Sequence, residues 1–139
     1  MKFMPLIAMI ALAAGPALAD NHSADDVHWY ITMTVNAGQA DAVKPLLDRM
    51  VAATQANEPG ALTYDYMGEG DQVHIVERYA DNAAAMTHMG NFGANFAGEF
   101  LETFSVTSVA VYGPAGDDLK AALAPFTPTY MPQISGFSR

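Results

Sequence analysis

His88 and Glu77 are the residues of this 139-residue chain best suited to moving a proton inside an apolar setting. His88 is the stronger candidate base, because an imidazole titrates near working pH. Glu77 alternates with Val73, Ile75 and Tyr79, so its carboxylate shares an apolar face. Desolvation there raises a carboxyl pKa and suits proton transfer. Tyr64, Tyr66 and Tyr79 supply hydroxyls that could hold a substrate hydroxyl. Trp29, Met86, Phe92 and Phe96 could wall a pocket, since Met and Phe fill irregular space around flat ligands. Each residue also has a plainer role. His88 could brace a helix, and Glu77 could answer a backbone amide, Arg78 or a tyrosine hydroxyl. The tyrosines and the Met/Phe stripe could be packing alone.

These side chains need elements to position them. Val27 to Val35 alternates, with Val27, Trp29, Ile31, Met33 and Val35 on one face, and predicts a strand. Residues 39–57 follow a helical period, with Val43, Leu46, Leu47, Met50, Val51 and Thr54 on one stripe and Pro45 inside it. Glu58-Pro59-Gly60 closes that helix: Pro stops it and Gly allows a positive φ. Residues 61–68 read as a strand with Leu62, Tyr64 and Tyr66 on one face, followed by a Gly-rich hairpin turn and a third strand over 72–79. Asp81 is an N-cap for a helix to about Met89, which Gly90 is expected to interrupt before a further helix over 92–103. Residues 104–112 form the fourth strand, 117–124 a short helix, and 125–139, with three prolines, an irregular tail. The order β-α-β-β-α-β is the ferredoxin-like α+β arrangement, an antiparallel sheet with helices on one face. Its second face carries few charges, which calls for a cover and implies a homodimer packed sheet to sheet.

The first 19 residues read as a separate object. Lys2, the apolar run from Phe3, and Ala17-Leu18-Ala19 have the layout of a secretory signal peptide cut before Asp20. The run is too short to span a bilayer, so no stable membrane insertion is expected. Such a leader implies a periplasmic or secreted location. The division is then 1–19 signal peptide, 20–26 flexible arm, 27–112 the ferredoxin-like domain, and 113–139 a helix with a tail. Without Lys2 the chain has 5 basic against 15 acidic side chains, a formal charge of −10. Such a surface repels nucleic acid and anionic lipid. The absence of cysteine excludes thiol catalysis, iron–sulfur clusters and Cys-based zinc sites.

Other motifs are weak. No histidine pair has the i, i+4 spacing of helical metal ligands. His22 and His28 lie near Asp20, Asp25 and Asp26, but a solvated acidic arm explains them, and no metal site is assigned. Gly90-Asn91-Phe92-Gly93 lacks the third glycine of a dinucleotide fingerprint.

The series Glu58-Pro59-Gly60, Tyr64, Glu77-Arg78-Tyr79, His88 and Phe92 resembles the antibiotic biosynthesis monooxygenase family over about residues 27–112. The resemblance implies a dimeric α/β barrel with a cleft between sheet and helices in each subunit. It implies oxidation of quinols or hydroxyaromatics with O2, and no flavin, metal or nicotinamide cofactor. His88 would then be the base, and Glu77, Tyr64 and Tyr79 the substrate-positioning shell, with Tyr66 and the aromatic walls as further substrate contacts. One branch of the family degrades haem. Tyr79 stands where that branch has Trp, and strand one has no Asn before Asn36, which shifts weight away from haem. A non-catalytic binding protein for a small aromatic or hydrophobic ligand, a haem protein and a structural dimer module remain as alternatives.

Overall fold

The computed structural model describes residues 24–136. The expected signal peptide and the start of the arm lie outside the described residues. The elements are β1 (Val27–Val35), α1 (Ala40–Asn57), β2 (Ala61–Glu69), β3 (Gln72–Tyr79), α2 (Asn82–Asn95), α3 (Ala97–Thr103), β4 (Phe104–Tyr112), α4 (Asp117–Leu123), a 3-10 turn over Ala124–Phe126, and β5 (Thr129–Met131). The sheet order is β2-β3-β1-β4-β5. The first four strands pair antiparallel, as the ferredoxin-like arrangement requires, and β5 adds in parallel to β4.

The alternation that marks β1 is realised as burial. Val27, Trp29 and Met33 are buried against the helices, while His28, Tyr30, Thr32 and Thr34 are only partly covered on the other face. The helical stripe of α1 buries Leu46, Met50 and Thr54, whereas Val51 is exposed. Two packed clusters result. One gathers Val27, Trp29, Tyr79, Ala85, Val109, Val111, Leu119 and Leu123. The other gathers Met33, Leu46, Met50, Val73, Ile75, Phe100 and Phe104.

Four local expectations are corrected. Gly90 does not interrupt α2, which runs through Gly90 and Gly93 to Asn95. An isolated glycine costs a helix only about 1 kcal/mol, and packing of Ala85 and His88 on the inner face holds the element together. The break comes at Phe96, whose N–H still bonds to Phe92. Gly60 is not needed for a positive φ, which among the described glycines occurs at Gly38, Gly70, Gly113 and Gly136. A Cβ at Gly60 would instead lie 2.5 Å from the Ala84 Cβ, so glycine lets α2 sit close on the start of β2. Leu62 does not share the inner face with Tyr64 and Tyr66. The β2–β3 register shifts between Ala61 and Thr63, and Leu62 is exposed. Finally, the tail is not wholly irregular: Thr129 to Met131 pair with Ala110 to Tyr112.

Candidate active site

Strand register aligns the polar centre of the molecule. Glu77 on β3 stands opposite Trp29 on β1 and opposite Tyr64 on β2. These three side chains therefore line up on the helix-facing side of the sheet. Asp81 caps α2 by accepting from the Ala84 amide at 2.8 Å, which fixes where that helix starts. Two turns later, His88 projects onto Glu77.

The result is a buried chain of proton-carrying groups. His88 Nε2 lies 3.5 Å from Glu77 Oε2. Its Nδ1 lies 2.8 Å from Glu58 Oε2. The Tyr79 hydroxyl donates to Glu77 Oε2 at 2.5 Å, and the Trp29 indole N–H also bonds to Glu77. Asn91 donates to Glu58 Oε1 at 3.1 Å. Glu58, Glu77 and His88 are all buried. The two carboxylates flank opposite nitrogens of one ring and do not converge on a point. Among the described residues, no group of three or more His, Cys, Asp or Glu could hold a metal ion.

The electrostatics follow from this geometry. Burial pushes Glu77 up, against the His88 charge and the bonds from Tyr79 and Trp29. Burial alone would lower His88, but the charge of Glu77 and the bond and charge of Glu58 overcome it and raise the imidazole. Burial would raise Glu58, yet bonds from His88 and Asn91 hold it below the usual carboxylate range. Burial, with Glu77 nearby, pushes Tyr64, Tyr66 and Tyr79 up, so all three stay protonated at neutral pH. They serve as hydrogen-bonding hydroxyls and not as bases.

A cavity of about 40 Å³ opens beside this chain where the two apolar clusters meet. Glu77, His88, Trp29, Tyr64, Tyr66 and Phe92 line it. The Tyr64 and Tyr66 hydroxyls are 2.7 Å apart, and Tyr66 reaches Met50 Sδ at 3.9 Å. Phe92 stacks at 6.3 Å on His88 and meets Phe100 edge-on at 5.2 Å. Thus the structure brings together six of the nine residues singled out from the sequence around one space. Tyr79 is fully buried behind Glu77 and touches the site through its hydroxyl. Met86 packs on the first cluster and Phe96 on the second, and neither lines the cavity.

Sequence reasoning misses Glu58, which bonds to His88, Asn91, which bonds to Glu58, and Met89, Leu123 and Phe126, which close the walls. It places Glu58 only in the turn after α1. A signal is present, because a carboxylate at a helix C-terminus opposes the helix dipole. Such a residue calls for a cationic partner elsewhere. No local signal points to Phe126, which reaches the cavity only through the path of the chain after β4.

The sequence model of the family described as antibiotic biosynthesis monooxygenase matches residues 27–95. That span contains Glu58, Glu77, Tyr79, His88 and Asn91. Among solved structures, MupZ from Pseudomonas fluorescens is similar over 82% of this chain and 94% of its own, with 26% identity and a TM-score of 0.73. Rv0793 from Mycobacterium tuberculosis is similar over 66% of this chain and 97% of its own, at 25% identity and a TM-score of 0.56. SnoaB, a cofactor-independent oxygenase from Streptomyces nogalater, shares the fold over 66% of this chain and 95% of its own, at 17% identity and a TM-score of 0.54. No curated protein sequence matches the chain significantly.

Proposed function

The chain belongs to the antibiotic biosynthesis monooxygenase family, and we propose that it is an exported monooxygenase that oxidises quinols or hydroxyaromatics with O2 and without a bound cofactor. The observation that carries this reading is the buried Glu58–His88–Glu77 chain facing an apolar, aromatic cavity. Cofactor-free oxygenation needs an electron-rich phenol in a dry pocket, a base for its proton, and donors for the developing negative charge.

At rest, one proton lies between Glu77 and His88 Nε2, while ionised Glu58 accepts from the Nδ1–H. A bound hydroxyl gives its proton to the Glu77–His88 pair, which then holds two. Glu58 offsets the imidazolium charge, so the base strength resides in the pair and not in His88 alone. Tyr64 and Tyr66 hold the phenolate oxygen by hydrogen bonds. The phenolate passes an electron to O2, and the two radicals join at a ring carbon. The pair returns its proton to the peroxide, and as the O–O bond breaks the same ring carbon gives up its hydrogen as a second proton, so that the departing oxygen carries both. One oxygen atom stays on the ring carbon and the other leaves as water, so a quinol and O2 give a hydroxyquinone and water.

Non-catalytic binding of a small aromatic ligand is the second reading. It is favoured by the engagement of both His88 nitrogens. A haem has less support, because the same engagement leaves no imidazole nitrogen turned to an iron. Sheet-to-sheet dimerisation through the face of His28, Tyr30 and Thr32 belongs to the same proposal, as does release of the leader before Asp20.

O2 uptake by the purified, chelator-treated protein against a panel of quinols and naphthols tests the reading. The expected result is one O2 consumed per hydroxyquinone formed, with at least a tenfold loss in His88→Ala. Ligand binding with no uptake would favour the second reading, and neither binding nor uptake would remove both.

A further inference from the structure

The cavity is too small for the ligand that its chemistry suits. A dry, apolar cavity of roughly 150 Å³ takes a benzene ring, and one water needs about 10–15 Å³. The about 40 Å³ beside Glu77 and His88 therefore holds water but no arene. Some wall must move to admit one.

Several walls are poor candidates. Trp29, Ile75 and Glu77 stand on central strands that are paired on both sides. His88 is bonded to Glu58 through Nδ1, and its Nε2 faces Glu77 at 3.5 Å. The wall contributed by Leu123 and Phe126 is different. Leu123 is buried at the end of α4, but Phe126 is only partly buried and sits on a three-residue 3-10 turn that buries nothing fully. Thr127, which ends that turn, has φ 49° and ψ 53°. A β-branched residue in the left-handed region is strained and holds only while its surroundings impose it. Beyond it, among the described residues, the chain forms only the three-residue strand β5, with every residue of that strand exposed. This stretch lies outside residues 27–95, where the family model matches.

We propose that Phe126 is the gate of the cavity and sets the largest aromatic ligand that it accepts. The 3-10 turn swings the ring outward to admit a ligand and closes it over the bound ligand. Size selection rests on the hydroxyarene reading above, but closure by Phe126 does not.

Trp29, the sole tryptophan, lines this cavity and is 2% exposed, so its fluorescence reports access without any turnover. Acrylamide quenching should rise at least threefold in Phe126→Ala and by less in Phe126→Leu. Met131→Ala, an exposed β5 position away from the cavity, should match the parent protein. Should Phe126→Ala fail to fold, the Phe126→Leu comparison carries the same test. A folded variant with unchanged quenching overturns the gate. Calorimetric titration with phenol, 1-naphthol and 9-phenanthrol then tests selection. Phe126→Ala should bind the two- and three-ring ligands at least tenfold more tightly, with less than a threefold change for phenol. A uniform change across the series overturns size selection. Increased quenching with no arene bound to either protein leaves the gate standing and removes the hydroxyarene reading.

Discussion

At the residue scale, His88 takes its properties from its two carboxylates. Their shifts have opposite consequences for stability. A group whose folded pKa is raised stabilises the protein most at low pH, and that contribution fades as pH rises through its folded value. His88 and Glu77 are both raised, so the fold weakens as pH climbs above the ordinary glutamate value for Glu77 and above the ordinary imidazole value for His88. Glu58 is lowered, so its contribution is present above the ordinary glutamate value and is lost as pH falls through its depressed one. Stability from this cluster should therefore peak in mildly acid solution. Thermal melts should show Tm falling from pH 6 to pH 8.5, and the fall should be smaller in Glu77→Gln, which cannot ionise. A flat profile, or one that rises over that range, would contradict the cluster as drawn. Removing His88 leaves two buried carboxylates without their cation, a loss of the kind that costs about 3–5 kcal/mol. Activity lost in His88→Ala must therefore be measured on protein shown to be folded.

At the scale of elements, α2 is the part that must be placed correctly, since His88, Asn91 and Phe92 all ride on it. Its seat is the contact of Ala84 on Gly60. Gly60→Ala puts a Cβ 2.5 Å from the Ala84 Cβ, and overpacking of this kind costs about 1–3 kcal/mol. Chemical denaturation should register that loss, and Ala84→Gly in the same chain should recover part of it. Failure of the second substitution to help would place the strain elsewhere. The strands are legible in the sequence because period-two alternation is local and each of β1, β3 and β4 buries one face. The end of α2 is not. Gly90 weakens a helix by a small local amount, and the burial of Ala85 and His88 decides against it. Glu77, His88, Tyr64, Tyr66, Trp29 and Phe92 are legible as a site because they fall on inward faces of periodic elements. Glu58, Phe126 and β5 are not, since their partners are set by the path of the whole chain.

At the scale of the molecule, the sheet separates two different faces. One carries the helices, the cavity and the buried proton chain. The other carries the Tyr30–His74 hydrogen bond, the His28–Tyr112 stack and the Thr32 hydroxyl bonded to Thr107 and Ser108. This second face has few charges, and the proposed homodimer would cover it. Sedimentation at micromolar concentration should give a dimer, and Thr32→Arg, at the centre of that face, should give a monomer. A monomeric parent protein would remove the paired-sheet assembly while leaving the site within one chain intact. No helix among the described residues is long and apolar enough to cross a membrane. Export is best tested by the N-terminal residue of protein recovered from the periplasm or medium, which should be Asp20.

On the proposed function, the buried Glu77–His88 pair, braced by Glu58, takes the proton of a bound hydroxyarene. This transfer is tested most directly without oxygen, by the ultraviolet spectrum of 1-naphthol bound to the anaerobic protein at pH 7. The naphtholate band is expected in the parent protein and in Phe126→Ala. It should be lost in folded His88→Ala and Glu77→Gln while the ligand still binds. A spectrum of neutral naphthol in the parent protein, or a naphtholate band that persists in both variants, would contradict it.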